Sequence, residues 1–394
     1  MTDRVLISGA GPVGLLTALR LARAGIPTTV LEADPAIAPS TRALVYHPPT
    51  VKVLDELGLM DDARAAGIIK DDYQFREPAT GTITKMNSGI LKGLTPYPYN
   101  LHLGQDALAE IILRHLSRMP GADVRWNHRV AAVEQNEESV TVAVETPSGT
   151  ETFHAPWLIG ADGARSGVRR ALDLDFAGHT WPDRFMATNV YYDFQKHGFA
   201  RANFVVDPVH WAIVVKINNE GLWRVTYGED AEISEEEAIR RVPGRYRAIF
   251  PSAEPYELVA AAPYRVHERT VGSYRVGRVL LAGDAAHVCN PTGGYGLTGG
   301  LLDAADIGEA LAAVINGKTG EDYLDRCVTE RRRVYREVAT PGASENKRRL
   351  AESDPARKAK DREHLRRLRE EPEYQRAALS YSLKLAGNDW RRAG

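Results

Sequence analysis

Between Arg4 and Ala33 an apolar run, a glycine turn, an amphipathic run and a second apolar run follow without a break. That order constrains the chain to a βαβ unit near its start. Val5, Leu6 and Ile7 read as a buried strand ending at Gly9. Leu15 to Ala24 reads as a helix, with Leu15, Leu16, Leu19 and Leu21 apolar and Gly25 as its stop. Thr28 to Leu31 gives a second strand, closed by Glu32 and Ala33. The first turn is Gly9-Ala10-Gly11-Pro12-Val13-Gly14, a G-x-G-x-x-G spacing in the surroundings it needs to count. Gly9 permits the tight turn, Gly11 lets the backbone approach a pyrophosphate, and Gly14 lets helix and strand pack closely. Pro12 falls in the first helical turn, where its missing N–H costs little. The free N–H groups there favour an anion. Glu32 can accept hydrogen bonds from a ribose. Ordinary turn glycines are the bland alternative, and the complete strand–helix–strand–acid context argues against it. The unit alone does not separate NAD from FAD.

Two further motifs narrow the choice. Asp162 follows the apolar Trp157-Leu158-Ile159 and so sits at a strand end, with Gly163 suited to a sharp turn and Arg165, Arg169 and Arg170 beyond. An isolated Asp-Gly is usually only a turn. Asp284 also follows an apolar strand, Val279-Leu280-Leu281-Ala282, within Gly283-Asp284-Ala285-Ala286-His287. The chain then runs through Pro291-Thr292-Gly293-Gly294-Tyr295-Gly296 into a helix from about Leu297 through Val314. A carboxylate at a strand end can hold sugar or ribityl hydroxyls. A helix N-terminus aimed at a flavin's N1/C2=O edge would stabilise the negative charge of the reduced ring.

In this order the three motifs resemble the single-component (group A) FAD-dependent aromatic monooxygenases, the para-hydroxybenzoate hydroxylase-like flavoprotein hydroxylases. The resemblance covers roughly residues 1–345. It implies an α/β chain with a Rossmann-like FAD-binding domain of the GR2 type, an inserted antiparallel β-sheet substrate domain and C-terminal helices. It implies that Glu32 binds the adenosine ribose, Asp284 the ribityl chain, and Asp162-Gly163 the pyrophosphates of both FAD and NAD(P)H. It also matches Arg42 to a phosphate contact and Gln105 to a contact with the flavin chain. Pro291, Gly293, Gly294, Gly296 and Leu297 should border the isoalloxazine. Two positions depart from the family pattern: Thr298 stands where asparagine is common, and Tyr295 where glutamine is common. Neither removes a backbone donor.

Composition bounds the rest. A chain of 394 residues can hold two domains, and a net charge of −2 sets up no global field for nucleic acid. Two cysteines, Cys289 and Cys327, are too few for a disulfide framework and point to a reducing cytoplasm. The first strand starts almost at once, leaving no room for a signal peptide, and no apolar run is long enough to span a bilayer. No metal-ligand spacing is present.

The expected organisation is discontinuous. Residues 1–72, 104–172 and 276–345 read as the FAD-binding domain, 73–103 and 173–275 as the substrate domain, and 346–394 as a helical tail. Residues 173–275 are rich in β-branched and aromatic residues, as in the run 210–215 and the run 222–227. Between 346 and 372 stand ten Lys/Arg and six Asp/Glu, which read as a solvated helix rather than a nucleic-acid arm.

The chemistry implied by the resemblance has two halves. NADPH or NADH reduces FAD; the reduced flavin takes up O₂ at C4a, and the hydroperoxide hydroxylates a phenolic or heteroaromatic small molecule. Phenols react after deprotonation, so a base or hydrogen-bond network is expected near the ring. The candidates are His47, His210, Arg224 and Tyr227, the last three on expected strands. The bland reading of each is an ordinary hydrogen-bonded residue. A homodimer is implied by resemblance alone. The competing functions are a flavin-dependent halogenase, for which the tryptophan-rich motif is missing, a prenyl-chain reductase, and a non-catalytic flavin-binding redox sensor.

Overall fold

The computed structural model describes residues 4–39 and 43–392. Its organising element is a six-stranded sheet in the order Arg275–Val276, Val279–Leu281, Leu158–Gly160, Val5–Ser8, Thr28–Leu31, Ala122–Arg125. All neighbours are parallel except the first pair, a tight hairpin. The central strands are continuous apolar runs because both faces are covered. The helix Pro12–Arg23 lies against this sheet and packs on Gln105–Leu116 and Tyr295–Ile315. Val140, Val142 and Val144 of a separate three-stranded antiparallel sheet join the same core.

Register fixes what matters for function. Ser8 pairs with Gly160, and Gly160 with Leu281. The residues that follow these three strand ends are Gly9, Ala161-Asp162 and Ala282-Gly283-Asp284. All three motifs therefore leave the same carboxyl edge, where open α/β sheets bind ligands.

The second large layer is an eight-stranded sheet. Its order is His287–Val288, Glu257–Val271, Phe176–Tyr191, Leu222–Glu229, Ala212–Lys216, Ala202–Val205, Asp72–Glu77, Thr82–Asn87. It is not wholly antiparallel, because Ala202–Val205 runs parallel to Asp72–Glu77. Its edge strand His287–Val288 begins three residues after Asp284, so the third motif is tied to both sheets. The far face is covered by Glu235–Arg240 and Val242–Ile249, with Trp223, Val225, Tyr227 and Tyr246 in the core beneath. A small sheet, Val45–Tyr46, Asn100–His102 and Ile68–Lys70, bridges the two layers. The strand Asn100–His102 thus lies in neither large sheet.

The charged tail differs from the expected solvated helix. Leu365 and Leu368 of Pro355–Glu370 are buried against Met86 of the eight-stranded sheet. Only a narrow apolar stripe is needed for this, and at helical spacing two leucines provide it. No helix among the described residues is long and apolar enough to cross a membrane.

Candidate functional site

One cavity of about 1250 Å³ runs from the first glycine turn to the inner face of the eight-stranded sheet. That exceeds the range of roughly 300–1,000 Å³ for a single small ligand, as expected of a space holding a dinucleotide and a substrate.

The nucleotide end is built from backbone crowding. Gly9 has φ +105°, and a Cβ there would meet the Ala161 carbonyl oxygen at 2.5 Å. A Cβ on Gly14 would meet the Gly9 carbonyl oxygen at 2.0 Å. Gly14 thus packs beneath the wall instead of lining it. Gly11 caps the helix and has open space where a Cβ would project, beside Pro12 and Val13 on the wall. Glu32 accepts the Ala10 N–H at 2.6 Å and the Asp34 N–H at 2.9 Å, and lines the cavity with Ala33. Asp162 Oδ2 accepts the N–H groups of Gly167 and Val168 at 2.8 and 3.1 Å. Its Oδ1 is buried without a protein partner, and the residue lines the same space. Gln105 and Gly163 also lie on the wall. Arg42 lies outside the described residues.

The third motif is braced from behind. Asp284 lines the cavity from a tight turn whose Gly283 has φ +58° and packs under Val13. His287 Nε2 lies 2.6 Å from Asp303 Oδ2, which also accepts the Gly283 N–H at 3.1 Å. Arg331 Nε donates to the other Asp303 oxygen at 2.9 Å. Burial works against the Asp303 charge, but His287 and Arg331 hold its carboxyl down at about 2. The loop then turns at Gly293 and Gly294, with φ +118° and +72°, conformations that favour glycine. Pro291, Gly293, Gly294, Gly296 and Leu297 all face the cavity. The open helix N-terminus over Gly11, the unsatisfied Asp162 oxygen and the glycine loop at the junction of the sheets fit FAD.

The far end combines apolar walls with buried polar groups. Phe75, Met86, Phe204 and Ile213 are apolar; His47, Lys70, Asn100, His102 and Arg224 are not. His47 caps Pro48–Glu56, and its Nε2–H donates to the Gly293 carbonyl at 2.6 Å while Nδ1 accepts from Asn100 Nδ2 at 3.5 Å. Burial pushes its pKa down to about 4. Its ring lies 5.2 Å from that of Tyr295. Arg224 Nε donates to Asn189 Oδ1 at 3.1 Å, and burial pushes the guanidinium down to about 10. Thr298 is fully buried beneath the loop.

Two expected site residues lie elsewhere. Tyr227 is on the same strand as Arg224 but three positions on, so alternation turns it to the far face with Trp223 and Tyr246. His210 is not on a strand. Asp207 accepts the backbone N–H groups of Val209 and His210, closing an Asp-Pro turn that leaves the histidine off the cavity wall. Asp207-Pro208 is a type I turn signature and was legible.

The sequence reading missed Lys70, Asn100 and His102. Lys70 pairs with Asn100 across the small sheet, and Ile68 with His102, so all four side chains share one face. Nothing local marks them, because the pairing joins segments thirty residues apart.

Comparison with known proteins fits this geometry. Residues 2–341 match the sequence pattern of the family described as FAD binding domain. The chain belongs to that family. Within it, the chain is 47% identical over 362 residues to a para-nitrophenol 4-monooxygenase of Pseudomonas sp. (strain WBC-3), covering 91% of this chain and 90% of that protein. It is 44% identical over 356 residues to the 6-hydroxy-3-succinoylpyridine 3-monooxygenase HspB of Pseudomonas putida (strain DSM 28022 / S16), covering 90% and 91%. The crystal structure of p-nitrophenol 4-monooxygenase PnpA from Pseudomonas putida DLL-E4 superposes with a TM-score of 0.95 at 44% identity over 98% of both chains. This family member is an FAD-dependent aromatic monooxygenase, with NAD(P)H as electron donor.

Proposed function

We propose that the chain hydroxylates a small phenol or hydroxypyridine at the ring carbon para to the hydroxyl, consuming O₂. The observation that carries this reading is the single cavity shared by the three nucleotide motifs and the inner face of the eight-stranded sheet. Support for the substrate class comes from the two relatives. Both are named for a hydroxylated six-membered ring, with the oxygenated carbon para to its hydroxyl. An ionised ring hydroxyl raises electron density at that carbon.

Bound FAD supplies hydride acceptance and activation of O₂; the protein orients it and excludes water. In this reading Glu32 and Ala33 hold the adenosine ribose. Gly9, Gly11, Pro12, Val13, Asp162, Gly163 and Arg42 hold the pyrophosphate. Gln105 and Asp284 hold the ribityl chain. Pro291, Gly293, Gly294, Gly296 and Leu297 border the ring, on the packing that Gly14 and Gly283 permit. His47 fixes the loop through Gly293, and Arg224 presents a cation from the opposite sheet. Phe75, Met86, Phe204 and Leu368 keep water from the ring face. The two unpaired cysteines accord with a reducing cytoplasm, and a homodimer is the assembly the resemblance implies.

The test is NAD(P)H consumption by FAD-loaded protein with and without phenols and hydroxypyridines, under ¹⁸O₂. Stimulated consumption with one labelled oxygen in the product supports the reading. Stimulation without labelled product, or none across the panel, overturns it.

A further inference from the structure

The cavity lining includes an amine that no role given so far uses. Lys70 is fully buried, its Nζ has no hydrogen-bond partner, and the residue belongs to the cavity lining. The Tyr73 ring centroid lies 2.7 Å from Nζ. The nearby acids do not bond it: Asp71 and Asp72 are taken by Arg201, at 3.0 and 2.7 Å. A buried, unbonded ammonium is costly, so a lysine in this setting either loses its proton or awaits an anion. Burial indeed pushes the Lys70 pKa well down, with Asp72 and Asp71 opposing and Arg201 assisting.

His102 stands beside it on the small sheet. Its Nδ1–H donates to the Lys216 carbonyl at 2.9 Å, which leaves Nε2 as the bare nitrogen, buried and without a partner. Burial pushes this imidazole down to about 3, so it stays neutral and accepts. His47, by contrast, has both ring nitrogens engaged. An amine and a bare imidazole nitrogen on one wall complement a hydroxyl, which both donates and accepts.

We propose that Lys70 is the proton acceptor that ionises the substrate's ring hydroxyl, with His102 Nε2 holding the hydroxyl as it enters. This rests on reading the cavity as a site of phenol hydroxylation. The phenolic O–H bond breaks, the proton joins the lone pair of Lys70 Nζ, and the O–H electron pair stays on oxygen. The products are a phenolate and an ammonium that neutralise one another over the Tyr73 face, where a cation is also favoured. No oxidant or reductant takes part. His102 is not the acceptor, because burial disfavours an imidazolium there and the Arg201 charge opposes it.

The experiment uses the FAD-loaded enzyme without NAD(P)H, and 4-nitrophenol at a pH below its own pKa. Binding to the wild type should bring up the phenolate absorbance with no proton released to buffer, measured by calorimetry in buffers of different ionisation heat. Lys70→Arg cannot accept a proton; it should still bind phenolate but release up to one proton per site. Lys70→Met should lower the preference for the phenolate by at least about tenfold, one pKa unit. It should bind non-ionisable 4-nitroanisole as the wild type does, which also shows that the pocket is intact. Failure of the wild type to ionise 4-nitrophenol, a full proton released by the wild type, or an unchanged phenolate preference in Lys70→Met would each overturn the proposal. The last result together with wild-type ¹⁸O insertion would leave the hydroxylase reading standing. Ionisation through Lys70 without oxygen insertion would do the reverse.

Discussion

His47 Nε2 and the Gly293 carbonyl oxygen lie 2.6 Å apart although 246 positions separate them. One hydrogen bond thus joins the N-cap of Pro48–Glu56 to the glycine loop that opens Tyr295–Ile315. Gly293 sits at φ +118°, a conformation that favours glycine, and its carbonyl accepts the imidazole N–H.

Burial of that ring makes the site acid-sensitive, although the bond to Gly293 itself favours the protonated imidazole. His47 and His102 are both neutral in the folded chain, at about 4 and about 3, because burial disfavours the imidazolium. Below about 6.5 the unfolded chain binds protons that the folded chain refuses. Stability therefore falls as pH drops from 6.5 towards 4, by about 1.4 kcal/mol per pH unit for each histidine. Urea midpoints across that range should show the slope, and His47→Gln should remove about half of it. A flat profile in the wild type contradicts the burial of both rings.

Gly14→Ala and Asp284→Ala should fail in different ways. The added methyl meets the Gly9 carbonyl oxygen at 2.0 Å, so helix and strand must separate, at a cost of about 1–3 kcal/mol. Thermal melting should show the loss even in apoprotein. Asp284→Ala should melt like wild-type apoprotein but retain little flavin after desalting. Full flavin occupancy in that variant sinks the ribityl assignment.

Asp303 has three hydrogen-bonding partners, His287, Arg331 and the Gly283 N–H, with no exposure to water. Asp303→Asn removes the nearer of two carboxylates that pair with the buried Arg331, leaving Asp306 at 3.6 Å. The expected destabilisation is up to about 3 kcal/mol, the low end of the range for breaking one side of a buried pair. Chemical denaturation measures it, and a loss below about 1 kcal/mol would mean the network relaxes into water.

Tyr227 and Arg224 give the clearest test of strand facing. Tyr227→Phe removes a buried hydroxyl that has no hydrogen-bond partner, so stability should hold or rise and turnover should stay within about twofold. Arg224→Met removes a cation from the cavity wall and should lower turnover by at least about tenfold. Equal effects from the two would place both side chains on one face.

The nucleotide end was legible because its constraints are local. Glycine spacing, apolar runs and strand-end acids are written within a few residues of one another, and the backbone contacts at Gly9 and Gly14 require those letters. The substrate end was only half legible. Arg224 and His47 do line the cavity, but Tyr227 lies on the opposite face, as alternation within its own strand requires. Lys70 and His102 could not be found locally. Their shared face exists only because Ile68–Lys70 pairs with Asn100–His102, a register that depends on tertiary context. The tail misled for a related reason: ten basic residues dominate its composition, while two leucines decide where it packs.

The cavity wall brings Gly9 of the first glycine turn together with Tyr381 and Ser382, residues far apart in sequence. No contiguous segment therefore encloses the cavity by itself. Its walls exist only once long-range contacts between the six-stranded sheet, the eight-stranded sheet and the last helices are all in place, so the cavity is a readout of complete folding rather than of any one element.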